Sequence, residues 1–368
     1  MSDSLVNAID RFCSIHNAVV FCDHTSSYHG KYRVLYSLVA SQRMYDKSES
    51  QPDLLIHIGE ITGDYPALNI GGKEVWRVNE DGEIRDTFKR LKCVFEMPEE
   101  VFFQYYSQSG ENGDDSYLHF CKNQLNETRS KIPELPFSNV WLASKLAHCI
   151  PENSTVHFGI LNSLRTWNLF ELPESVTSAS NVGGFGIDGG VSSLVGASFA
   201  NKSKLYYGVI GDLAFFYDLN AIGNRHVGNN LRILLVNNGK GAEFRLFSHT
   251  AAQFGEDADT FMAAAGHFGN KSRELVKNYS QNLGFEYLSA SNREEFELVY
   301  ERFILPEITD RPILFEVFTD SEEESKALEL ITGLEVNVDG IAKHFAKQVA
   351  KQLLGPKGIE IAKKVIKK

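Results

Sequence analysis

The chain has 368 residues, room for two domains of ordinary size, and its 43% hydrophobic and 23% charged content is that of a globular protein with proper cores. A net charge of -11 argues against a general nucleic-acid binder, and no apolar run approaches the roughly 20 residues that span a bilayer. Met1 to Asp10 carries no basic-then-apolar leader pattern, and the five scattered cysteines (Cys13, Cys22, Cys93, Cys121, Cys149) lack metal-type pairing, so reduced thiols and a cytoplasmic protein are expected.

Short apolar runs alternating with helical stretches open the chain. Ala18 to Cys22 reads as a strand ending at Asp23, and Asp53 to Ile58 as a second, followed by Gly59-Glu60. Lys73 to Val78 and Leu91 to Phe95 continue the α/β alternation. His24, His29 and His57 read as structural or solvent-exposed rather than as ligands. Ser107 to Asp115 is polar and glycine-rich, a boundary zone; a helix with Tyr117 to Gln124 follows, then the stiff linker Pro133-Glu134-Leu135-Pro136. A helix over Ser138 to Ile150 leads into a second unit. Its strands are expected near Thr155 to Ile160, Lys204 to Ile210, Leu231 to Val236, Phe285 to Leu288 and Pro312 to Phe318. Helices lie between them, including Phe261 to His267 and Arg293 to Phe303. The fold class is α/β: two doubly wound parallel-sheet domains over residues 1–130 and 131–320, with a helical C-terminal extension over 321–368.

The most informative stretch is Gly211-Asp212-Leu213-Ala214, followed at the end of the next strand by Asn237-Asn238-Gly239. One carboxylate and one amide thereby stand at the carboxyl ends of neighbouring parallel strands, where open α/β sheets bind ligands. An Asp, an Asn and a nearby backbone carbonyl are hard oxygen ligands suited to Mg²⁺, which commonly also takes phosphate oxygens. The helix N-terminus after Asp212 offers N–H groups to a diphosphate.

Four ordered motifs extend this reading: Gly186-Ile187-Asp188-Gly189, Gly211-Asp212-Leu213-Ala214, Tyr217-Asp218-Leu219-Asn220 and Val236-Asn237-Asn238. In order and spacing they resemble the thiamin-diphosphate motif of the menaquinone-pathway SEPHCHC synthases, most strongly from Thr155 to Val317. Pro52-Asp53-Leu54-Leu55-Ile56-His57-Ile58-Gly59 resembles the central domain of the same enzymes. The resemblance implies a scaffold (central) domain followed by a PP domain that holds thiamin diphosphate and Mg²⁺. It implies Asp212, Asn238 and the Lys240 carbonyl as metal ligands. It makes Ile187 a wedge between the two cofactor rings, and Asp188, Gly189 and Gly190 a turn and helix start beside the cofactor. Gly211, Leu213 and Ala214 would line the diphosphate, the last two through backbone N–H groups. Asn181 and Ser163 are candidates for the substrate side, against ordinary turn and cap roles. His249 and His267 are candidate acids or bases; no catalytic residue is assigned.

The resemblance also implies a missing half. Family enzymes carry a PYR domain whose Glu activates the cofactor, and residues 1–130 cannot hold both that and a central domain. The expected partner is a PYR-domain-containing polypeptide that completes a split site in a homo- or hetero-oligomer. The expected substrate is a 2-keto acid, decarboxylated with or without carboligation, which makes the chain part of a transferase or lyase. The alternatives are a non-catalytic thiamin-diphosphate-binding or assembly subunit, or a fragment of a three-domain enzyme. Two departures bear on substrate. Val182, in Ser180-Asn181-Val182-Gly183, and Trp167, in Asn162-Ser163-Leu164-Arg165-Thr166-Trp167, stand where the family has arginines for substrate carboxylates. Isochorismate is therefore not the expected acceptor. Arg165 is two residues out of register and is expected to point elsewhere on its helix. Lys240 replaces a family glycine.

Residues 341–368 hold eight lysines and one glutamate, leaving the rest of the chain near -18. Ile341, Phe345, Val349 and Leu353 recur every four residues, with Lys343, Lys347 and Lys351 on the other side. Gly355-Pro356 breaks the pattern. Packing on the chain itself or on a partner subunit is expected, the alternative being a peripheral contact with an anionic membrane surface.

Overall fold

A computed structural model describes residues 1–43, 50–59, 64–182, 186–262 and 272–335. Among these residues every strand pairing is parallel. Strands β1 (Val20–Phe21) and β2 (Arg33–Val34) form a small pair, and β3 (Leu54–His57), β4 (Glu74–Val78) and β5 (Leu91–Phe95) form a three-stranded sheet in that order. The third sheet has six strands: β6 (Thr155–Phe158), β7 (Thr177–Ser180), β8 (Tyr206–Gly211), β9 (Leu231–Asn237), β10 (Glu286–Ala290) and β11 (Ile313–Phe318). Its order is β10-β11-β9-β8-β6-β7. The chain runs outward from β6 to β7 and then returns to lay β8 on the other side of β6. That reversal is the topological switch point of a doubly wound sheet.

The central strands are buried on both faces, as their continuous apolar sequences require. All seven residues of β9 are buried. Side chains alternate across the sheet: Leu234 and Val236 join one core cluster, and Ile233 and Leu235 join the other. The first cluster also takes in Ile9, Phe102, Leu118 and Trp141, so the N-terminal helices and the six-stranded sheet share one apolar core.

Several elements depart from expectation. β7 reads Thr-Ser-Ala-Ser, with no apolar run to announce it; as an edge strand it is held by ladder bonds to β6. Helix Asp3–His16 was not anticipated; the Ser2 side chain caps it by accepting the Leu5 N–H. Where the sequence suggests a helical segment from about Phe215 to His226, the helix after β8 is short, Asp212–Tyr217, and passes into a 3-10 turn, Leu219–Gly223. The segment before the expected helix at Phe261 is a 3-10 run, Thr250–Phe261, and most of that expected helix, with His267, lies outside the described residues.

Helix Ser321–Ile331 packs back onto the body. Its Glu324 carboxylate accepts the Asn139 N–H at the start of helix Asn139–Leu146 (2.9 and 3.0 Å). Gln42 donates to the Ile331 carbonyl and accepts from the Leu334 N–H (2.8 and 2.9 Å). The lysine-rich stretch 341–368 lies outside the described residues. No helix among the described residues is long and apolar enough to cross a membrane.

Candidate functional site

Parallel pairing of β8 with β9 sets Gly211 beside Val236, so the residues after both strands emerge at one edge. Gly211 is extended (φ -74, ψ 156) and the helix begins directly at Asp212. Asp212 is 2% exposed. Its Oδ1 accepts the Leu213 N–H at 2.8 Å, and its Oδ2 accepts the Gly239 N–H at 2.7 Å. One carboxylate therefore joins the start of a helix to the turn after β9. Gly239 has φ +80, a left-handed conformation that suits glycine in this tight turn. The Asn238 Oδ1 accepts the Lys240 N–H at 3.2 Å, which folds Asn238 and Lys240 onto the same turn.

This donor set fits the group that the motif implies. Asp212 contributes carboxylate oxygen, Asn238 amide oxygen and Lys240 a carbonyl, the oxygen chemistry that Mg²⁺ takes. A side-chain carbon placed on Gly211 would meet nothing within 4 Å, so the space before the backbone is open to a phosphate. The edge is also acidic. Burial raises the proton affinity of Glu316 and pushes that of Glu324 up to about 7, with the Asp212 charge adding to both. A cation at Asp212 relieves that repulsion. Among the described residues no group of three His, Cys, Asp or Glu is placed to hold a metal, so a metal bound here would need amide and carbonyl oxygens as well.

The turn at Asp188 and Gly189 opens helix Gly190–Ser198; Gly189 has φ +75, and Ile187 is half-buried just before it. Asn181 donates to the Asp188 carbonyl at 3.1 Å, so this amide braces the turn. Asp218 accepts both the N–H and the hydroxyl of Ser192, which ties the Tyr-Asp-Leu-Asn motif to the Gly-Ile-Asp-Gly motif.

No protein-family model matches the chain. Among curated proteins, the 2-succinyl-5-enolpyruvyl-6-hydroxy-3-cyclohexene-1-carboxylate synthase of Bacteroides fragilis is 32% identical over 257 residues, 70% of this chain and 44% of that protein. The synthase of the same name from Phocaeicola vulgatus matches at 32% identity with the same coverage. That of Flavobacterium johnsoniae matches at 26% over 330 residues, 87% of this chain and 57% of that protein. The chain is a partial homologue of these SEPHCHC synthases. It spans about half the length of the curated relatives it matches.

Against the SEPHCHC synthase pattern, the two departures are packed into the body. Trp167 is fully buried, with its Nε1 donating to Asn139 Oδ1 at 3.2 Å and its ring 5.8 Å from Phe158. Val182 packs against the same core. Arg165 turns toward the residues that follow the Asn238–Lys240 turn. It makes a two-oxygen ion pair with Glu243 (2.7 and 3.0 Å), and its guanidinium lies 4.0 Å from the Tyr65 ring centroid. Lys240 Nζ sits 3.3 Å from Asp259, which Arg245 also engages.

Ser163 is buried beside Gly159. His249 caps the Thr250–Phe261 run through Nδ1, which accepts the Ala251 N–H at 3.1 Å. His24 is buried with Nε2 2.8 Å from the Phe170 carbonyl oxygen, and burial lowers its proton affinity. His57 packs edge-on to Phe88, and His29 is exposed. Sequence reasoning overlooked Glu316 and Glu324. A glutamate inside the apolar run Ile313–Phe318 was the available signal, because a buried strand seldom carries a charge without a fixed partner.

Proposed function

We propose that the carboxyl edge of the six-stranded sheet is the thiamin-diphosphate and Mg²⁺ half-site of a 2-keto acid decarboxylase or carboligase. In this reading a PYR-type domain from another polypeptide completes the site and supplies the activating carboxylate. The observation that carries the reading is the junction of Asp212 with the Asn238–Lys240 turn through the Gly239 N–H. Asp212, Asn238 and the Lys240 carbonyl would hold the metal. Leu213 and Ala214 would face the diphosphate, and Ile187 would support the bent cofactor. When bound, thiamin diphosphate supplies carbanion stabilisation at the carbonyl of a 2-keto acid. Trp167 and Val182 put no cation where a dicarboxylate acceptor is otherwise gripped, which supports an acceptor other than isochorismate. The same two residues support the second reading, a subunit that binds the cofactor without turning over substrate.

The test is thermal unfolding of the full chain with thiamin diphosphate and Mg²⁺. Ligand that binds only the folded state raises the melting temperature, and Asp212→Ala abolishes that rise. A shift of unchanged size in Asp212→Ala, with or without Mg²⁺, refutes the assignment.

A further inference from the structure

Glu316 occupies the middle of β11 at 1% exposure, opposite Leu235 of β9. A carboxylate in such a place has to be held by hydrogen bonds, because burial strips it of water. Both oxygens are engaged: Oε1 accepts from Asn237 Nδ2 at 2.7 Å, and Oε2 accepts from the Tyr287 hydroxyl at 2.8 Å. An ionised carboxylate only accepts, so the Asn237 amide turns its NH₂ toward Glu316. The amide oxygen then faces the other way, and Asn237 Oδ1 accepts the Gly239 N–H at 3.2 Å. That same N–H is shared with Asp212 Oδ2 at 2.7 Å. Gly239 is the left-handed pivot of the turn that presents Asn238 and the Lys240 carbonyl.

We infer that Glu316 is a positioning residue for the metal turn. Acting through Asn237 and Gly239, it fixes the turn against Asp212. This rests on the proposed role of Asp212 and Asn238 in holding Mg²⁺. The chain Tyr287–Glu316–Asn237–Gly239–Asp212 crosses three neighbouring strands, β10, β11 and β9, and ends at the helix that follows β8. It ties the half-buried turn to buried side chains of β9 and β11, so the ligand oxygens are set before a cation arrives. Outer-shell groups of this kind change metal affinity by about 10–100-fold when removed.

The test titrates Mg²⁺ calorimetrically into the full chain at saturating thiamin diphosphate, alongside the melting temperature of each ligand-free variant. Glu316→Leu removes the acceptor and weakens Mg²⁺ binding by about 10–100-fold. Glu316→Gln keeps an amide oxygen for Asn237 Nδ2 and restores an affinity close to that of the unaltered chain. Tyr287→Phe removes the other bond to the same carboxylate and leaves Mg²⁺ affinity nearly unchanged. A purely structural role would lower the ligand-free melting temperature of Glu316→Leu without moving its Mg²⁺ affinity, and that result overturns the inference. So does a Gln variant as weak as the Leu variant. Should Glu316→Leu fail to fold, Asn237→Ala breaks the same relay, and unchanged Mg²⁺ affinity there is equally fatal. If the unaltered chain takes up no thiamin diphosphate with Mg²⁺, the site assignment itself falls, a result distinct from an unaltered chain that binds and variants that bind as well.

Discussion

Buried carboxylates give this chain a pH signature that can be read at single residues. Asp64 is fully buried and accepts from the Ser37 hydroxyl. Burial pushes its proton affinity up to about 7, opposed by the Ser37 bond, with Asp23 adding to the rise and Arg165 opposing it. The unfolded value is about 3.9. Between those two pH values the folded chain keeps a proton that the unfolded chain has released. Stability from this group is therefore complete below about pH 4, falls as pH rises toward about 7, and is level above that. Asp64→Asn removes the dependence. Relative to the unaltered chain, the variant gains on the order of 1–3 kcal/mol on going from pH 5 to pH 8, measured by urea unfolding at both values. A gain that is larger at pH 5 than at pH 8 contradicts the burial argument. Glu324, pushed to about 7 by burial, acts in the same direction and is common to both chains in this comparison.

Among elements, helix Ser321–Ile331 links parts that lie far apart in the chain. Its Glu324 carboxyl accepts the Asn139 N–H at the start of helix Asn139–Leu146, one of the N–H groups that a helix leaves without an internal partner. Its Ser325 hydroxyl accepts the Phe247 N–H at 2.9 Å, a few residues downstream of the Asn238–Lys240 turn. Arg43 lies over the Phe247 ring at 4.6 Å and donates to the Glu329 carbonyl, which joins the N-terminal unit to the same helix. A chain ending at Asp339 keeps this helix and should keep the cofactor-induced rise in melting temperature. A chain ending at Asp320 loses the Glu324 carboxyl that accepts the Asn139 N–H and should lose that rise. Loss of oligomer mass in the Asp339 chain supports a subunit contact for the lysine-rich tail, and loss of salt-sensitive liposome binding supports a membrane contact. Retention of the cofactor response after truncation at Asp320 would show that the helix does not support the site.

For the whole molecule, the proposal makes activity depend on a second polypeptide. The purified chain with thiamin diphosphate and Mg²⁺ should turn over neither pyruvate nor 2-oxoglutarate above background. Adding the PYR-type partner isolated with it from its native host should restore turnover if the chain is catalytic. Continued silence in a complex that binds the cofactor favours the assembly-subunit reading. Robust decarboxylation by the chain alone counts against a split site. Arg165 lies on Glu243 and Tyr65, and neither partner was visible from helical spacing.

Local sequence was enough to place the apolar strands and the residues at their ends. A buried parallel strand needs an unbroken apolar run, and a right-handed crossover fixes which end of the next strand lies beside it. Asp212 and the Asn237-Asn238 turn were legible for that reason: one β-α-β crossover carries both. β7 was not, since Thr-Ser-Ala-Ser acquires its strand character only from β6. The partners of Asn237, Arg165 and Asn139 lie 79, 78 and 185 residues away. The contacts of Asn237 and Asn139 depend on β11 inserting beside β9 and on the last helix returning to residues 139–146. Strand order and helix docking are set by how whole faces share a core, and no local period encodes them. Only the tertiary structure shows that a glutamate in an apolar strand holds the Asn237 amide beside the junction of Asp212 with Gly239.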